Sequence, residues 1–149
     1  MKADFYRKLT ALIPAFALVA AGISLGTALA REPSKRFEPL LSTGKTVMDE
    51  TIVYPASAPA KLTTGILTLD PGDETGWHTH GVPLTGLVLD GELTVDYGDK
   101  GQRTFKHGQS IAETMSVPHN GRNTGSGVMR LFVVFIGAEG VANTTPVKR

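Results

Sequence analysis

The sequence predicts an all-β domain of the sandwich or barrel class. Three observations lead there. From Lys45 onward, short runs rich in Val, Ile, Thr and aromatic residues recur every six to twelve residues, each closed by turn residues. No segment after Ala30 keeps a 3.6-residue apolar period over three turns. Seventeen glycines and nine prolines supply the punctuation that many turns require.

The first thirty of the 149 residues stand apart. Lys2, Arg7 and Lys8 make a positive start, an apolar run spans Ala11 to Gly26, and Ala28-Leu29-Ala30 offers a small-x-small cleavage box. This is the three-part pattern of a secretory signal peptide. An uncleaved anchor is the alternative, but the run is shorter than the ~20 residues a spanning helix needs, and Pro14 and Gly22 interrupt it. Cleavage after Ala30 would send residues 31–149 to the periplasm or the exterior. That portion has twelve Lys/Arg and thirteen Asp/Glu, a formal charge of −1, so the basic bias belongs to the leader. A near-neutral domain gives no footing for nucleic acid or an anionic membrane surface, and no later segment is apolar enough to span a bilayer. There is no cysteine, so the core alone must hold the fold.

Residues 31–44 are polar, carry Pro33 and Pro39, and read as an arm. Residues 45–142 read as the β domain, and 143–149 as a polar, frayed tail. Within the domain the strand-like runs are Thr46 to Tyr54, Lys61 to Leu69, Gly76 to His80 and Thr85 to Leu89. Glu92 to Tyr97 alternates, with Leu93, Val95 and Tyr97 on one face, as a half-buried strand does. Gln102 to Phe105, Ser110 to Glu113 and Val117 to Asn120 are short. Arg130 to Ile136 is a continuous apolar run and predicts a strand buried on both faces.

Four histidines are present: His78, His80, His107 and His119. On a strand, residues i and i+2 share a face about 7 Å apart, so His78 and His80 can converge on one ion. Two unrelated polar residues on an exposed strand would give the same spacing. His107 sits in a turn sequence and reads as surface.

The spacing around these histidines resembles the cupin superfamily. Its first motif is matched from Gly72 through His78 and His80 to Gly91, except that Leu84 stands where a Glu is expected. The four-residue variant of that spacing offers only Thr85. The second motif is matched from Gly108 through His119 to Asn123, with Thr114-Met115-Ser116 in place of Pro-x-Gly. The resemblance implies a jelly-roll barrel enclosing a metal, with His78, His80 and His119 as ligands and a homodimer that exchanges N-terminal strands such as Thr46 to Tyr54. It supplies no fourth ligand. If Ile111 faces inward, alternation turns Glu113 inward too, and a buried carboxylate needs a partner. Glu113 is therefore the candidate fourth ligand; exposure to solvent, or pairing with Arg122 or Arg130, is the alternative. Asn123 reads as a loop anchor or as support behind His119. Leu84, Gly86, Val88 and Tyr97 read as the wall of a pocket for a small, partly apolar ligand.

A three-His site leaves a position open, as catalytic metal sites require, and fits Fe, Mn, Zn, Ni or Cu. A redox metal would make a dioxygenase and a non-redox ion an isomerase or lyase. A metal- or ligand-holding module without turnover, and an empty barrel, are the competing classes.

Overall fold

The computed structural model describes residues 36–148; the signal-peptide pattern, and the arm up to residue 35, lie outside them. The described chain is β-structure joined by turns. Its strands are β1 (Ala60–Leu69), β2 (His78–Thr79), β3 (Leu84–Asp90), β4 (Glu92–Asp96), β5 (Gln102–Lys106), β6 (Ser110–Glu113), β7 (Asn120–Asn123), β8 (Met129–Ala138) and β9 (Thr145–Pro146). A single 3-10 turn, Gly98–Lys100, joins β4 to β5.

The antiparallel strands form two principal layers. One has the order β1-β8-β3-β6 and the other β5-β4-β7. The segment before β2 extends the second layer along β7 through bridges at Glu74–Arg122 and His78–His119. β9 then pairs with β2, setting Pro146 opposite His78. The predicted alternation is present: Leu93, Val95 and Tyr97 are buried and meet Val88, Ile111, Met129 and Leu131 between the layers. Burying such side chains contributes about 1.5–3 kcal/mol each, which stands in for the absent disulfides.

Asp90-Gly91 forms the turn between β3 and β4. β3 and β4 belong to different sheets, so the pair turns a corner between layers. Gly91 sits at φ 75°, and a Cβ there would lie 2.9 Å from the Val128 carbonyl oxygen, so only glycine fits.

Four expectations need correction. Thr46 to Tyr54 is not a strand: Lys45 and Thr51 form one bridge, and the chain between them is a tight loop with Asp49 at φ 63°. The strand expected over Val117 to Asn120 starts instead at Asn120, because Val117 and Pro118 finish the preceding loop. β8 is not buried on both faces: Met129 and Leu131 point inward, while Arg130 and Phe132 are exposed. The tail is not loose, because residues 145–146 are drawn into pairing with β2 by Val147 N–H, which donates to Trp77 O at 2.9 Å.

Candidate metal centre

The site is built from backbone pairing. His78 N–H donates to His119 O and His119 N–H to His78 O, both at 3.0 Å. A mutually bonded antiparallel pair puts both side chains on one face. His80, two residues on, shares that face. The three rings gather with centroids 4.4 to 5.0 Å apart, and one nitrogen from each lies within 4.8 Å of the others.

Which nitrogen points inward is set by the backbone. His78 Nδ1 lies 2.7 Å from Gly76 O, His80 Nδ1 3.0 Å from Asn143 O, and His119 Nδ1 2.9 Å from Val117 O. A carbonyl only accepts, so each Nδ1 carries the proton and each Nε2 keeps its lone pair for the centre. Burial, then the neighbouring imidazoles, push His80 down to about 4; burial chiefly does the same to His119, also to about 4. Both rings are neutral at pH 7, the form that binds a metal. Metal–nitrogen bonds of about 2 Å place ligand nitrogens about 3–4 Å apart, so side-chain shifts of about an ångström would close this set on an ion. The donor set fits a divalent cation.

The cluster forms part of the wall of a cavity of about 360 Å³. Leu84, Leu93, Val95, Leu131, Val133 and Phe135 are among its apolar lining residues, and Thr75, Thr144 and Glu113 are its other polar side chains. Of the pocket residues read from sequence, Leu84 lines this cavity. Gly86 and Val88 pack in the core instead, since a Cβ on Gly86 would meet Leu131 at 3.1 Å and Val88 is fully buried. Tyr97 is also buried and reaches the cavity only through its partner.

That partner is Glu113. Tyr97 Oη–H donates to Glu113 Oε1 at 2.9 Å and Thr114 N–H to the same oxygen at 2.8 Å. Both bonds fall on Oε1, and Glu113 lines the cavity. Arg122 pairs with Glu74 and Arg130 with Asp90, so neither neutralises this carboxyl. Burial pushes Glu113 up to about 7 against the two bonds that favour its anion. Burial and the adjacent carboxylate raise the Tyr97 phenol, which therefore remains a donor. Glu113 is not one of the three residues whose ligand atoms meet within 4.8 Å; it stands in the same cavity, beside that cluster.

Asn123 is a loop anchor: its Nδ2 donates to Leu69 O and Gly127 O, and its Oδ1 accepts from Gly125 N–H. The support behind His119 comes from Val117 O. His107 is exposed, its Nδ1 held 2.6 Å from Leu89 O. The supports at Asn143 and Gly76 are backbone carbonyls, which any residue supplies, so residue identity carried no signal for them.

The Cupin domain family matches residues 65–135, a span that takes in all three histidines. Among solved structures, a DMSP lyase from Ruegeria pomeroyi is 19% identical over 58% of this chain and 43% of that one, with a TM-score of 0.50. The oxalate decarboxylase of Lactobacillus farciminis is 15% identical over 58% of this chain and 26% of that one, with a TM-score of 0.50. A cupin domain from Bordetella pertussis is 24% identical over 54% of this chain and 96% of that one, with a TM-score of 0.44. This chain spans less than half the length of either enzyme, and at these identities the likeness is one of fold. No curated protein matches the sequence.

Proposed function

From a chain that belongs to the cupin superfamily and brings three imidazoles to one point, we propose a metal-dependent enzyme acting on a small, largely apolar molecule with one oxygen-bearing head group. The single observation that carries this is the triple Nδ1-to-carbonyl arrangement, which presents three Nε2 lone pairs to one cavity. His78, His80 and His119 would hold the ion. A divalent ion there supplies Lewis acidity toward a carbonyl or hydroxyl oxygen.

The chain's own contribution is proton handling. Glu113 Oε1 is fixed by Tyr97 and Thr114, so a proton taken from or given to a ligand resides on Oε2. A carboxyl held near pH 7 can act in both directions. The apolar wall excludes water and orients the rest of the ligand. These features favour isomerase or lyase chemistry. Dioxygenation is the second reading, supported by a ligand set that leaves coordination positions open within an apolar cavity. A binding module without turnover is the third.

Export and dimer formation belong to the same proposal. The pattern over residues 1–30 supports the first. Exposed Leu62 and Ile66 on β1 support the second, and light scattering giving a monomeric mass would remove it.

Elemental analysis of protein purified without a His tag tests the core of this reading. One equivalent of metal is expected, and no bound metal overturns it. Oxygen consumption with small hydroxy and keto acids then separates the two chemistries: turnover without uptake is expected, and stoichiometric uptake selects dioxygenation.

A further inference from the structure

The loop that carries His119 is tied down by a residue far away in sequence. Glu50 lies in the tight loop closed by the Lys45–Thr51 bridge, and its carboxylate accepts hydrogen bonds from three consecutive residues of the 114–118 loop. Thr114 Oγ1 donates to Oε2 at 2.6 Å and Met115 N–H to the same oxygen at 2.7 Å. Ser116 N–H donates to Oε1 at 2.9 Å, and Ser116 Oγ donates to Oε1 as well. Thr46 Oγ1 adds a bond at 3.2 Å, and Val47 N–H anchors the same loop to Ala112 O at 2.8 Å.

The clamped loop bonds the backbone of one histidine and the ring of another. Met115 O accepts the backbone N–H of His80 at 2.9 Å, and Val117 O holds His119 Nδ1. Residues 114–116 contain no proline, so nothing in their own covalent structure limits their freedom. We propose that Glu50 is a positioning residue of the metal centre: by gripping residues 114–116 it aims the Met115 and Val117 carbonyls that hold His80 and His119. The inference rests on the metal-centre reading above.

Glu50→Gln is the natural test, because it keeps the shape and loses the match. Each carboxylate oxygen receives at least two donors, so whichever way the amide turns, N–H and O–H donors face an NH₂ group. The readouts are cobalt(II) or zinc affinity by chelator competition and the visible spectrum of the cobalt form. Expected is a 10- to 100-fold loss of affinity, the size typical of removing support behind ligands, with a changed cobalt spectrum. A role in stability alone would lower the melting temperature and leave affinity and spectrum as in the parent, which would overturn the proposal. If Glu50→Gln does not fold, Thr114→Val combined with Ser116→Ala removes two donors from the loop side, and the same two readouts decide. A parent that binds neither metal sinks the metal-centre reading itself; a parent that binds and a variant that binds equally well sink only this inference.

Discussion

Leu84 and Glu113 face each other directly across the β3–β6 ladder. Cβ atoms in such pairs lie about 4.5–5.5 Å apart on one face of the sheet. Leu84 occupies the position at which the first cupin motif expects a carboxylate. The cavity nevertheless has a carboxyl group, supplied by the neighbouring strand. Displaced by one strand, it is held by Tyr97 and Thr114 beside the imidazoles.

That displacement predicts a separation of roles. Glu113→Gln should keep metal affinity within about threefold while lowering turnover by about 10²–10⁴, the usual contribution of a positioned acid–base group. Chelator competition and steady-state rates on the substrate found by screening check both. A loss of metal affinity comparable to that of a histidine variant would instead make Glu113 a ligand.

Removing one imidazole should abolish the site. His119→Ala leaves two donors and breaks the convergence, so metal content should fall from one equivalent to a trace. His107→Ala, on the exposed turn, should leave metal content unchanged. Elemental analysis of the two variants beside the parent is sufficient, and retained metal in His119→Ala would exclude the proposed ligand set.

Much of this was legible in the sequence, for physical reasons that can be named. A period of two survives wherever one face of a strand is buried, so β4 and the inward turn of Ile111 and Glu113 were readable. The His-x-His spacing and the distant His119 carried the cluster. Three things were hidden. The loop around Glu50 uses Thr and Val as a strand does, but it turns tightly and sets the Glu50 carboxylate on residues 114–116. The 145–146 strand is two residues long and has no pattern of its own. The depth of each wall residue was hidden too, because alternation gives a strand's face but not its depth: Leu84 reaches the cavity, while Val88, on the same face, is sealed in the core.

Ligand size can be tested apart from metal binding. Val133 lines the cavity from β8 and is not one of the clustered ligands. Val133→Phe should fill part of the 360 Å³ and weaken apolar ligands more than tenfold, with metal affinity unchanged. The added bulk is expected to cost about 1–3 kcal/mol of stability. Calorimetric titration of the metal-loaded protein with a screened ligand reads the effect. Unchanged ligand affinity would place the binding site elsewhere.

Stability of the metal-free protein should depend on acid in a way that Glu113 moderates. His80 and His119 titrate near 4 when folded, against 6.5 when unfolded. Between those values the unfolded chain binds two more protons than the folded one, so both groups lower stability as pH falls. Glu113 runs the other way: at about 7 folded against 4.5 unfolded, it holds a proton in the folded state that the unfolded chain has released. From pH 6.5 to 4.5 the net difference is therefore one proton, or about 1.4 kcal/mol per pH unit. Glu113→Gln removes the opposing group and should steepen that limb to about 2.7 kcal/mol per unit. Below pH 4.5 Glu50 adds a further loss, because its bonds from Ser116, Thr114 and Met115 overcome the cost of burial and hold it down to about 2. Urea unfolding of chelator-treated protein at intervals between pH 4 and 8 measures these slopes. A parent profile that is flat from 6.5 to 4.5, or a Glu113→Gln profile no steeper than the parent, would mean that the imidazoles are not buried as neutral bases or that Glu113 does not hold its proton.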